Sequence, residues 1–188
     1  MGIKHTVAIG FVLSLIGANP VTADEDLGIS PTFQQNPVWC WAAVSEMVLS
    51  HFGYSNINPA GNFQCGVVAM LGGVCNLNCG ACGTGIGNTS NLAEVLRRYQ
   101  QVAAQVGADG EKFISRLTGK LSANRIVDEI DAGRPVIAGI NPSGMGKFYP
   151  PGFGEHVALI EGYKNEGNDI NLIVNDPFHT AWLVTILI

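Results

Sequence analysis

Gln34-Gln35-Asn36-Pro37-Val38-Trp39-Cys40-Trp41-Ala42-Ala43 is the stretch on which the architecture turns. Pro37 confines Asn36 to extended geometry, so no helix begins before it. From Cys40 onward, Ala43, Val44, Met47 and Val48 recur at helical spacing, and Gly53 supplies a stop. Cys40 therefore falls in the first helical turn. Unpaired backbone N–H groups and the positive end of the helix dipole favour a thiolate there. The same N–H groups suit an oxyanion. Gln34 lies six residues upstream, on a segment able to fold back beside the sulfur with its side-chain amide as a second donor. Helix position alone describes an inert buried cysteine as well as a reactive one.

Working outward, the cysteine count bears on that choice. The chain has five cysteines: Cys65, Cys75, Cys79 and Cys82 lie close together, and Cys40 stands apart. The first residues have the order of an export signal. Lys4 and His5 precede an apolar run from Val7 to Ala18, then small residues at Val21-Thr22-Ala23, then acidic Asp24, Glu25 and Asp26. The run is shorter than the roughly 20 residues of a spanning helix. The expectation is a signal peptide over 1–23 and one domain over 24–188, secreted or periplasmic and without a membrane segment in its mature form. In an oxidising compartment the four clustered cysteines read as two disulfides, with three pairings open, and Cys40 as the free thiol. Zinc is the competing reading, because Cys79-x2-Cys82 has ligand spacing. The other gaps do not repeat it, so no metal and no cofactor is expected. A net charge of −5 with 13% charged residues and no basic run speaks against nucleic acid. A monomer is expected.

The remaining pattern divides the chain. A short helix is expected over about 64–71, loop over 72–87, and a helix from Thr89 or Ser90 through Leu92, Val95, Leu96, Tyr99 and Val102 to Val106. Ser122 caps a further helix containing Ile126, Val127 and Ile130, which ends at Gly133. Strands follow. Pro135 to Ile140 reads as a buried strand, His156 to Tyr163 as a second, Ile170 to Val174 as a third and Ala181 to Ile188 as a last. A Pro- and Gly-rich loop covers 141–154, and its residues 142–154 are expected to line a substrate groove before His156. The fold class is α+β, with a helical first half and a largely antiparallel sheet in the second, in two lobes.

Among the four histidines, His5 leaves with the signal. His51 sits about 16 Å along the helix from Cys40. His179 follows Asp176 too closely to be oriented by it. His156 opens an apolar strand and needs a polar partner. Asp176, at the end of the next strand, can orient its ring. Asn175 is the alternative, because strand alternation lets only one of the two face the histidine.

These pieces together resemble a known group. Gln-x5-Cys-Trp-Ala at a helix start is similar to the papain clan. Cys40-Trp41-Ala42-Ala43, Phe63-Gln64-Cys65 with its Gly-Cys stretch, Gly133-Arg134-Pro135-Val136, Glu155-His156-Val157 with Gly162-Tyr163, and Asn175-Asp176-Pro177 resemble bacterial papain-like cysteine proteases of the AvrRpt2 and staphopain type. The resemblance runs over about 34–178. It implies a two-lobe papain-like fold and hydrolysis of peptide bonds in protein or peptide substrates. Cys40 would be the nucleophile, His156 the general base and acid, Asp176 its orienter and Gln34 an oxyanion donor. The alternatives are a related thiol acyl-transfer enzyme (an amidase, a transglutaminase-like enzyme or a leader peptidase) and a non-catalytic exported binding or toxin-like domain on the same scaffold.

Overall fold

The computed structural model describes residues 24–86, 89–141, 149–150, 154–166, 169–178 and 186–187. The proposed signal segment, most of the loop 142–153 and His179 lie outside the described residues, as does most of the last expected strand. The chain opens on a two-residue strand, β1 (Glu25–Asp26), and then runs as coil to α1 (Cys40–His51). α1 is buried on nearly every side, from Trp41 and Ala42 through Met47, Val48 and Leu49, as expected of a helix apolar all round. It stops before Gly53, whose φ of 78° suits a residue lacking Cβ.

α2 (Phe63–Val68) follows, capped by the Asn62 side chain, which accepts from the Cys65 N–H at 3.0 Å. A 3₁₀ turn at Ala69–Leu71 extends it. The stretch 72–87, expected to be loop, instead contains α3 (Val74–Leu77) and a 3₁₀ turn at Cys79–Ala81. Two disulfides, Cys65–Cys79 and Cys75–Cys82, tie these short turns together. Glycine content hid them, because cross-links rather than propensity hold such turns. α4 (Thr89–Val106) turns Leu92, Val95, Leu96, Tyr99 and Ala103 inward, with Ala103 in place of the expected Val102. α5 (Ala123–Asp131) is capped by Ser122, which accepts from the Arg125 N–H at 3.4 Å.

The second half supplies β2 (Val136–Ile140), β3 (His156–Glu166), β4 (Asp169–Asn175) and β5 (Ile186–Leu187). All pairings are antiparallel. β3 is central: β4 lies along one edge, and β2 and β1 share the other. β2 is half-buried rather than buried, because it is an edge strand. Helices in the first half and an antiparallel sheet in the second make a mixed α+β protein, consistent with a papain-like fold.

Alternation along β3 divides the core. Val157 and Leu159 join α1, α2 and α4 in one cluster. Ala158 and Ile160 join α5, Leu172 and Val174 in the other. Between Ile160 and Gly162 the register with β4 slips by one residue. The bulge moves Tyr163 into the second cluster with Ile160, although simple alternation would put it opposite. Gly162 is required there, since a Cβ would stand 2.5 Å from the Glu25 carbonyl oxygen.

Candidate active site

Cys40 is the first residue of α1, behind Trp39 as N-cap. The Ala42 and Ala43 N–H groups donate to the Trp39 carbonyl, and those of Cys40 and Trp41 precede these first bonds of the helix. Trp39 supplies no capping side chain; its indole N–H instead donates to the Cys82 carbonyl at 2.7 Å. The disulfide-bonded turns are thereby fastened to the residue before Cys40. Cys40 is the one free cysteine and is partly exposed.

β3 brings His156 to the same place, since α1 packs against β3. His156 is 2% exposed, and its Nε2 lies 2.8 Å from Asp176 Oδ1. The Cys40 side chain also acts on this ring, raising its pKa alongside Asp176. Burial is the largest single influence on the ring and pushes its pKa down. The hydrogen bonds and charges of Asp176 and Cys40 together outweigh it and lift the value from 6.5 to about 9.

Register explains which neighbour meets the histidine. Asn175 pairs with Leu159, so Asp176 falls on the face shared by Ala158 and His156. The Asn175 side chain points elsewhere, donating to the Ile29 carbonyl at 2.6 Å. Asp176 is itself buried. Its Oδ1 also accepts from the Phe178 N–H at 2.8 Å, and its Oδ2 accepts from the Tyr149 hydroxyl.

Tyr149 is the site residue that sequence reasoning missed. It was counted with the groove-lining loop, yet it is 4% exposed. Its ring meets His156 edge-on, with centroids 5.6 Å apart. It lies in a loop with no periodicity to mark it. His51 is not near this cluster; its ring pairs with the Gly133 carbonyl.

Gln34 is buried. Its Nε2 donates to the Asn36 carbonyl at 3.0 Å, the same oxygen that accepts from the Trp39 N–H. The amide thus lies over the turn leading into α1, and its Oε1 has no partner among the described residues. Two contacts hold the backbone here. The Gln34 N–H donates to the Pro177 carbonyl, next to Asp176. Fully buried Gln64 clasps both flanks, accepting from the Gln35 N–H at 3.0 Å and donating to the Phe33 carbonyl at 2.8 Å. Among the described residues no cluster of side chains could hold a metal ion, and the four clustered cysteines are spent in disulfides.

Such a grouping defines a thiol–imidazole–carboxylate site at a helix start. A family model described as the Peptidase_C39 like family matches residues 27–183. The chain belongs to that cysteine peptidase-like family, which implies protein or peptide substrates. No curated protein and no solved structure matches the chain.

Proposed function

We propose that the protein is an exported cysteine endopeptidase of papain-like type, hydrolysing peptide bonds through Cys40, His156 and Asp176. The observation that carries this reading is the buried His156–Asp176 pair with Cys40 acting on the same ring, on a chain of the Peptidase_C39 like family. The Cys40 sulfur attacks the peptide carbonyl carbon. The resulting oxyanion is met by the Cys40 N–H and the Gln34 amide. The tetrahedral intermediate collapses by breaking the C–N bond, and His156 passes its ring proton to the leaving amine. A thioester remains on Cys40. His156, now neutral, takes a proton from water as that water attacks the thioester, and the acid product leaves with the thiolate restored.

Asp176 keeps the imidazole in place and favours its protonated form. Residues 1–23 act as a cleaved export signal and 24–188 as the peptidase domain, a monomer. Support comes from the two disulfides, which fit an oxidising compartment. No helix among the described residues is long and apolar enough to cross a membrane. The likeness to the AvrRpt2 and staphopain type belongs to the same proposal and rests on the sequence motifs.

Cys40→Ala tested on casein decides the matter. Hydrolysis should fall by roughly 10⁴-fold or more while thermal unfolding is nearly unchanged. Casein cleavage surviving that change overturns the assignment.

A further inference from the structure

We propose that Tyr149 is a positioning residue of this site: its hydroxyl fixes the Asp176 carboxylate, and its ring covers the bond between that carboxylate and His156. The inference rests on the peptidase reading above and adds a residue to it.

Tyr149 precedes Pro150 in the connection between β2 and β3, a place where an aromatic side chain is ordinarily exposed. It is 4% exposed instead. The ring lies 5.6 Å from the His156 ring at 63°, and 5.9 Å from the Phe178 ring. The Tyr149 ring thus stands between the imidazole and the Phe178 ring, beside the buried carboxylate–imidazole pair. The hydroxyl donates to Asp176 Oδ2, while Oδ1 takes the His156 ring and the Phe178 N–H. A carboxylate held on one oxygen can swing about its Cβ–Cγ bond; one held on both cannot. Burial first, and then the Asp176 hydrogen bond and charge, push the tyrosine pKa up. It therefore stays a donor throughout the working range.

Among the described residues, the groups facing His156 are Cys40 from α1, Asp176 just past β4 and Tyr149 from the loop; neighbouring Glu155 is exposed. The hydroxyl draws negative charge away from the carboxylate that faces the imidazole. Its removal leaves more of that charge to hold the His156 proton, and leaves the carboxylate freer to turn. The first effect raises the histidine titration midpoint. The second lowers kcat more than it alters KM.

The test is Tyr149→Phe in the full chain, which keeps the ring and removes one oxygen. Following the His156 ring C–H by NMR against pH, assigned with His156→Gln, needs no catalysis. The midpoint should rise by about half a unit or more. With a casein-derived peptide, kcat should fall on the order of tenfold with KM changed less. In an Asp176→Asn background the same substitution should no longer move the midpoint, because the hydroxyl acts through the carboxylate. An unchanged or lowered midpoint, or a shift that persists with Asp176→Asn, overturns the proposal. Failure of the underlying reading looks different: the midpoint shift is present but the wild-type chain cleaves no peptide.

Discussion

Asp176 shares its two oxygens among the His156 ring, the Phe178 N–H and the Tyr149 hydroxyl, so it serves both geometry and charge. Because the His156 value stands at about 9, the imidazolium needed to protonate the leaving amine is lost only above neutrality. Peptidase activity should therefore hold through neutral pH and decline on an alkaline limb near 9, measured as kcat/KM against pH. Asp176→Asn keeps an acceptor but loses the charge, and should move that limb back toward the ordinary imidazole range. A limb left in place would show that Asp176 does not set it.

Stability follows the same proton. A raised folded-state value stabilises the protein fully below 6.5, and the contribution fades as pH climbs through about 9. Unfolding free energy should fall over that window by at most roughly 3 kcal/mol, and His156→Gln should flatten the slope in urea titrations. Cys40, His156 and Asp176 were legible as candidates because each sits at the edge of a periodic element. The sequence favours Asp176 with Asn175 as the alternative, and the Leu159–Asn175 pairing is what puts Asp176 on the face of His156. Tyr149 carried no such mark, since a loop residue acquires its partner only from tertiary packing.

Elements, rather than single side chains, set how the pieces meet. α2 does this through Gln64, whose amide satisfies groups on both sides of Gln34. Gln64→Leu removes the part-buried hydrogen bonds to the Gln35 N–H and the Phe33 carbonyl, at about 1 kcal/mol each. It should lower kcat/KM as well as the urea midpoint; a midpoint change with full activity would separate α2 from the site. β1 is held by close backbone approach at the β3 bulge. Gly162→Ala should cost roughly 1–3 kcal/mol, toward the upper end, because a Cβ there would lie 2.5 Å from backbone. The read-out is a lower urea midpoint at unchanged m-value. Element type was largely readable, since α1, α4 and α5 show clean helical spacing and β3 and β4 are apolar runs. The bulge, β1 and the turns within 72–87 were not. A two-residue strand has no period, a bulge is a departure from one, and turns held by disulfides owe their form to pairing.

Across the whole molecule, β3 is shared by both cores. One face packs on the helical half and the other on α5, so the halves are joined through a strand that begins at His156. The disulfides act within the helical half. Cys65–Cys79 closes a loop of sequence separation 14, a span for which cross-linking contributes about 3 kcal/mol in the chain-entropy view. Cys65→Ser with Cys79→Ser should lower unfolding free energy by that order in urea. Cys75–Cys82 places the carbonyl that receives the Trp39 indole N–H, linking the cross-linked turns to the start of α1. The division into a helical half and a sheet half was plain in sequence, whereas the pairing of the cysteines needed three-dimensional proximity.

The most direct test is covalent labelling of the intact chain with a thiol-reactive epoxide at neutral pH, followed by mass spectrometry. One label per chain on Cys40 is expected, slowed by roughly 10²-fold in His156→Ala. Equal labelling with and without the imidazole, or none on the folded protein, would contradict the account.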